Sequence, residues 1–315
     1  MKWISYPGAV AAAFAISMLL GACGDDTKVA NNAPQDTTGV TTDAPPLTHA
    51  STTSLSALPA RIISLSPTAT EVLFAIGADG PIVAVDDQST YPPEVLDKPH
   101  DLSGYQPNVE AIAALKPDLV LIGDDTSGLS TQLGALGLAT WVGPAATSFS
   151  DVYDQIEQLG ALTGHIGEAA DLVSTMQTQI DTAVKAAPKP AQPLTYYHEL
   201  DNTYYSITEN TFIGQVYALF GLQSIADFEE VSSDYPQLSA EAIIQANPDF
   251  IFLADGGFGE SPETVAARPG WADLQAVTTG NVAVVDADVA SRWGPRIVAF
   301  ISDISTLVSK AVAAG

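Results

Sequence analysis

The chain repeats itself once, and that repeat limits its fold more than any other feature. Glu110-Ala111-Ile112, four residues, then Pro117-Asp118 and an apolar run return as Glu241-Ala242-Ile243, four residues, then Pro248-Asp249 and Phe250-Ile251-Phe252-Leu253. The offset is 131 residues at every matched position, from Glu110 to Glu241. Upstream, Ala75-Ile76-Gly77 before one strand is echoed by Leu219-Phe220-Gly221 before Ile225-Ala226-Asp227. Two copies at so long an interval describe two similarly built lobes, because solenoid repeats recur about every 20–50 residues.

Each lobe reads as α/β. Arg61-Ile62-Ile63-Ser64-Leu65 is a short β-rich run, and Ser66-Pro67-Thr68-Ala69-Thr70-Glu71 follows it with helix-start chemistry: a proline near the first turn and Thr68 three residues before Glu71. The helix continues through Phe74-Ala75-Ile76 and stops at Gly77. A strand at 81–85, a helix at 108–116 and a strand at 118–122 come next. Continuous apolar strands alternating with helices imply a parallel sheet covered on both faces. Between the lobes, Ile166, Ala169, Ala170, Val173, Met176, Ile180, Ala183 and Val184 keep steps of three and four, one apolar stripe on a helix roughly 30 Å long. It ends at Pro188-Lys189-Pro190. As the only bridge it is a stiff connection between lobes; the alternative is a core helix inside one domain. The expected divisions are 59–147 for the amino lobe, 148–187 for a bridging helical segment and 188–315 for the carboxyl lobe.

The first 58 residues are of a different kind. Lys2, an apolar core at 9–20 and the small residues Gly21-Ala22 read as an export signal over 1–23. An apolar run that short does not cross a hydrocarbon layer, which takes about 20 residues. Leu20-Gly21-Ala22-Cys23 resembles a bacterial lipobox, making Cys23 the expected lipid-attachment residue; the alternative is an incidental thiol. Cys23 is the sole cysteine, so no intramolecular disulfide and no multi-cysteine metal site can form. Residues 24–58, rich in Asp, Thr, Ala, Asn, Ser and Pro, read as a flexible linker. A net charge of −26 repels nucleic acid and anionic headgroups, so no nucleic-acid partner is expected.

Several motifs together suggest a family. They are the run from Arg61 to Glu71, the Tyr91-Pro92-Pro93 turn, Pro107-Asn108-Val109-Glu110 before Lys116-Pro117-Asp118, Arg268-Pro269-Gly270-Trp271, and Ser291-Arg292-Trp293-Gly294-Pro295-Arg296. They resemble the class III solute-binding proteins of ABC importers, over essentially all of 59–313. The resemblance implies two Rossmann-like lobes bridged by a single long α-helix, in a monomer that binds vitamin B12, a ferric siderophore or haem. It also implies a permease dimer, with its ATPase subunits, as partner. One exposed glutamate at a helix start on each lobe docks onto permease arginines in that family, and Glu110 and Glu241 occupy those places. The plainer role for each is to complement its own helix N-terminus.

Ligand is expected in the cleft between lobes, where loops leave the carboxyl ends of the strands. From the amino lobe the candidates are Ser66 and Pro67 at a helix start, Tyr91, and Tyr105 and Gln106 in the Ser103-Gly104-Tyr105-Gln106 loop. From the carboxyl lobe they are Tyr204, Tyr205, Tyr235, Arg292 and Trp293. Aromatic side chains suit a large, partly flat ligand. Only four arginines occur in the chain, Arg61, Arg268, Arg292 and Arg296, a thin supply for an anionic siderophore. This tilts the reading to a corrinoid such as cobalamin, with siderophore and haem as alternatives. His49, His100, His165 and His198 are scattered, so no bound metal or cofactor is expected. No nucleophile elbow or phosphate-loop motif is present, and Asp255-Gly256-Gly257-Phe258-Gly259 lacks the lysine of a phosphate loop. No catalytic residue is therefore assigned, and a secreted lipoprotein enzyme acting in the cleft is the rival class.

Overall fold

A computed structural model describes residues 57–228 and 232–314. The export signal, Cys23 and all but the end of the linker lie outside the described residues. Among those described, no helix is long and apolar enough to cross a membrane.

The amino sheet contains β1 (Ile62–Leu65), β2 (Ile82–Val85), β3 (Leu119–Ile122) and β4 (Ala139–Val142) in the order β2-β1-β3-β4, all parallel. Helices α1 (Pro67–Ala75), α2 (Val109–Ala114) and α3 (Leu129–Ala135) lie between these strands in sequence. The segments Ile62–Leu65 and Leu119–Ile122 are buried throughout. Their side chains alternate: Ile62, Leu119 and Leu121 join one core, while Ile63, Val120 and Ile122 join another on the opposite face.

In the carboxyl lobe, β5 (Leu194–Glu199), β6 (Leu222–Ser224), β7 (Phe250–Leu253) and β8 (Val282–Val284) form a second parallel sheet, β6-β5-β7-β8, with the same order of crossovers. Its helices are α6 (Phe212–Ala218), α7 (Ala240–Ala246), α8 (Pro262–Ala266) and α9 (Gln275–Thr278). The sequence expectation needs one correction here: the strand after Gly221 is Leu222–Ser224, and Ile225–Asp227 is a 3₁₀ turn. Ser224 makes the break, because its hydroxyl accepts from the Ala226 amide and caps that turn.

The repeat has a structural cause. Asp118 Oδ2 accepts from the amides of Ala60 and Arg61, and Asp249 Oδ2 accepts from the amide and hydroxyl of Thr195. In each lobe, the Asp before one strand thus holds the beginning of the neighbouring central strand. Helices α2 and α7 are capped alike, Asn108 Oδ1 accepting from Ala111 and Ser239 Oγ from Ala242. The residue before each Pro-Asp pair is left-handed, Lys116 at φ 50° and Asn247 at φ 47°. Asparagine tolerates that region and lysine is strained in it. Lys116→Asn is therefore expected to stabilise the fold by about 0.5–1 kcal/mol, a melting rise of about 1–4 °C. A melting point that is unchanged or lower removes this explanation.

Helices α4 (Phe149–Thr163) and α5 (Ile166–Ala186) join the lobes. A capping box of Ser148 and Asp151 starts α4, and Gly164, left-handed at φ 78°, ends it. The 21 residues of α5 bury Ala169, Val173, Met176 and Ile180. Ile166 and Ala170 lie outside that buried stripe, a narrower face than the three-and-four spacing alone suggests. A side chain on Gly160 would meet Ala169, so its absence lets the two helices approach closely. Ser305 of α11 (Ile297–Ala314) donates to the Ala183 carbonyl, fastening α11 to α5. One contiguous apolar cluster then includes Ile62, Leu121 and Trp141 of the amino sheet, Val173 and Met176 of α5, and Phe250 and Phe252 of the carboxyl sheet. A shared core resists relative motion, since packed interiors transmit strain rather than absorb it.

Candidate ligand-binding cleft

The carboxyl ends of the amino-sheet strands open on a cavity of about 450 Å³. Its amino wall includes Leu65–Thr68 after β1, Asp86 and Gln88 after β2, Gly104 and Tyr105 of the next loop, and Ile122–Asp124 after β3. The opposite wall belongs to the carboxyl lobe: Asp288 and Ser291 of α10 (Ala287–Ser291), followed by Arg292 and Trp293. The cavity therefore lies between the lobes.

Ser66, Pro67, Tyr105, Arg292 and Trp293 come together here. Ser66 is the N-cap of α1, its Oγ accepting from the Ala69 amide at 3.3 Å. The expected Thr68–Glu71 capping pair is not formed, because the cap falls two residues earlier and frees Glu71 for another partner. Tyr105 is 90% exposed, so its ring is available to a ligand. Trp293 is half-buried, its Nε1 donating to Gln155 Oε1 of α4 at 3.0 Å. Five other candidates lie outside the cavity. Tyr91 sits under the Arg296 guanidinium, 4.4 Å from its ring centre, and the exposed Gln106 donates its amide to Ser103 Oγ. Tyr204 stacks on Trp271 beside Arg268, while Tyr205 and Tyr235 are exposed on the carboxyl lobe.

A clasp across the cleft, unmarked by any motif, joins the two lobes. Glu71 of α1 is 3% exposed and accepts from two arginines of the other lobe. Arg296 grips it through Nε at 2.9 Å and Nη2 at 2.6 Å, and Arg292 Nη1 approaches at 3.1 Å. Arg292 Nη2 also donates to the Gln88 carbonyl. The Glu71 carboxylate raises the Arg296 pKa further above its ordinary value. Arg292 thus lines the cavity with its guanidinium already engaged. Arg268 is engaged as well, by a bidentate contact to Glu199 at 2.6 Å and a second to Glu260. Arg61 donates to the carbonyls of Leu115 and Lys116. Every arginine of the chain is held by the protein itself.

Beyond the end of β7, Asp255 is 3% exposed and neither of its carboxyl oxygens has a hydrogen-bond partner among the described residues. Burial, with the Glu199 charge adding to it, pushes its pKa up to about 6. A raised carboxyl pKa favours the fold at low pH, and that contribution is lost as pH rises from about 4 to about 6. Asp255→Asn is expected to raise stability by about 1–2 kcal/mol at pH 8 and to change little at pH 4. Melting curves at the two pH values check this, and equal effects at both would contradict it. His198, fully buried with Nδ1 against the Tyr217 hydroxyl at 2.9 Å, is pushed down to about 3 and is neutral at physiological pH. Among the described residues no group of three or more His, Cys, Asp or Glu side chains is placed to hold a metal ion.

Two lobes sharing one helical brace, with a polar cavity between them, define a bilobal binding protein. A family model described as periplasmic binding protein matches residues 62–289, and the chain belongs to that family. It is 30% identical over 255 residues to an uncharacterized ABC transporter substrate-binding lipoprotein, YvrC, of Bacillus subtilis, covering 78% of this chain and 79% of that protein. It is 32% identical over 249 residues to a cobalamin-binding protein of Halobacterium salinarum, covering 76% and 67% respectively. The crystal structure of the periplasmic vitamin B12-binding protein BtuF of Vibrio cholerae superposes with a TM-score of 0.67 at 26% identity, over 81% of this chain and 98% of that one.

Proposed function

We propose that this protein is the extracytoplasmic binding component of an ABC importer, that it captures a corrinoid of the cobalamin type between its lobes, and that it passes the corrinoid on unaltered. The observation carrying the ligand choice is the state of the arginines: the cavity is walled by hydroxyls, amides and carboxyls, and no guanidinium is left over for an anionic ligand. Haem propionates and anionic siderophores call for such groups. A corrinoid with amide side chains needs acceptors and apolar faces instead, which Asp86, Ser66, Tyr105 and Trp293 offer. The volume suits one face or arm of so large a molecule. The relatives named for cobalamin and vitamin B12 support the same choice.

Cys23 is the proposed lipid anchor, with 24–58 as tether to a body of two lobes, 59–147 and 188–315, on either side of the helical segment 148–187. Glu110 and Glu241 are the proposed permease contacts: both are exposed, each is the second residue of its helix, and the two helices are counterparts in the repeat. Two such points on one rigid body suit a partner with two equivalent subunits. The ligand reading is tested by tryptophan fluorescence, since Trp293 lines the cavity. Cyanocobalamin is expected to quench it to a one-to-one end point, with haemin and ferric siderophores far weaker. Preference for haemin would overturn the corrinoid reading, and turnover of any ligand would overturn the binding-protein reading.

A further inference from the structure

A chain of buried hydroxyls runs beneath the amino wall of the cavity and ends on Asp86. Ser64 Oγ donates to the Ser66 carbonyl at 3.1 Å, and Thr70 Oγ1 donates to Ser64 Oγ at 2.8 Å. Thr70 Oγ1 meets Ser89 Oγ at 3.0 Å, and Ser89 Oγ meets Asp86 Oδ1 at 2.5 Å. Ser64, Thr70, Ser89 and Asp86 are all at most 2% exposed.

These are four oxygen-to-oxygen contacts, and each needs one hydrogen. The three hydroxyls supply three. With Asp86 ionised, one contact faces lone pair to lone pair however the hydroxyls rotate. With Asp86 protonated, the hydrogens run one way, from Asp86 to Ser89, Thr70, Ser64 and the Ser66 carbonyl, and all four contacts are made. Buried polar chains are stable only when complete in this way. The second oxygen, Asp86 Oδ2, stands in front of Gly104, where a methyl group would lie 2.4 Å from it. Asp86 and Gly104 both line the cavity.

We propose that Asp86 meets the ligand as an uncharged carboxylic acid, with Oδ1 donating into the hydroxyl chain and Oδ2 accepting from an N–H or O–H of the ligand, so that capture is coupled to protonation of this one side chain. The proposal rests on the cleft being the ligand site. Burial raises the Asp86 pKa from its ordinary value and Asp87 next to it adds to the rise, outweighing Ser89, which lowers it where its hydroxyl and amide donate to an ionised carboxylate. The other charged groups on that side are Arg292, which lowers it, Asp288, paired to Arg292 at 3.1 Å, Glu71, held by Arg292 and Arg296, and Asp124 on the same wall, whose Oδ1 accepts from Thr126. Binding an uncharged ligand covers Asp86 further and favours the protonated form again. At Asp86 the wall then selects for ligand hydrogen-bond donors without adding a charge there.

The test has two arms on the full chain. In the first, aspartate carboxyl carbons are labelled and followed by NMR against pH, with Asp86→Asn identifying the signal. The Asp86 carbon is expected to titrate above the ordinary aspartate value of about 3.9; titration at or below that value overturns the proposal. In the second, cyanocobalamin affinity is measured across the same pH range. The wild type is expected to weaken as pH rises past the Asp86 midpoint. Asp86→Ala should lose about tenfold, one hydrogen bond's worth. Asp86→Asn, whose amide both donates and accepts, should recover most of that loss and bind independently of pH. Equal losses in the Asn and Ala variants, or flat wild-type affinity, overturn the proposal. If cyanocobalamin binds the wild type at no pH, the corrinoid reading falls instead, and the carboxyl titration decides for Asp86.

Discussion

Replacing Glu110 and Glu241 together with alanine is expected to abolish ligand uptake in cells while leaving ligand affinity where it was. Neither residue lines the cavity, and both are exposed. The helices they stand on keep their caps without them, through Asn108 and Ser239. The stability cost is that of two charges leaving helix N-termini, about 0.3–1 kcal/mol each, too little to unfold the body. Docking is different, because a charge pair desolvated at an interface costs about 2–5 kcal/mol when one partner is truncated. Loss at both lobes removes register as well as energy, so uptake is expected to fall at least about a hundredfold. Each single variant is expected to retain part of it. Uptake assays beside cyanocobalamin titrations make the check. Unchanged uptake removes the docking role, and reduced affinity means that the glutamates contribute to the cleft itself.

Glu71→Gln is expected to lower the melting temperature by about 6–20 °C. The change leaves Arg292 and Arg296, 11% and 18% exposed at the side chain, without the carboxylate they share. Arg292 keeps only Asp288, which is half exposed, and the Gln88 carbonyl; Arg296 keeps the face of Tyr91. Removing one partner from a buried ion pair costs about 3–5 kcal/mol, and each kcal/mol moves the midpoint of a body this size by about 2–4 °C. Cyanocobalamin affinity should fall as well, since the clasp fixes Arg292 and Trp293 in the cavity wall. A useful contrast is Asp181→Ala, which removes a fully solvated pair with Lys185 on α5 and should barely move the melt. A Glu71→Gln effect no larger than that contrast would mean the lobes are held by their shared core alone.

The difference between these two carboxylates shows how far the sequence can be read. Local order was legible: apolar runs gave the strands, Gly77 ended α1, and the Pro-Asp repeat marked two lobes because each Asp secures the start of a central strand. The spacing on α5 gave a long helix with one buried stripe, with Ile166 and Ala170 misassigned to that face because three-and-four periodicity does not say how wide it is. Glu71 was misread for the opposite reason. Thr68 and Glu71 have capping-box spacing, yet Ser66 caps the helix, and the real partners of Glu71 lie 221 and 225 residues away. Contacts at that separation leave no periodic trace. The hydroxyl chain under Asp86 is equally silent, since serine and threonine at such intervals are ordinary in any sequence. Tyrosine placement was similar: side-chain chemistry suggested five cleft candidates, and only Tyr105 reaches the cavity, because aromatic residues serve cores and surfaces as readily as sites.

Capture without chemistry is checked by equilibrium dialysis with radiolabelled cyanocobalamin, followed by recovery and mass analysis of the bound fraction. The expected result is one equivalent retained per chain, reduced by Trp293→Ala, and released with its mass unchanged. No saturable retention, or a recovered product that differs from what was added, would contradict it.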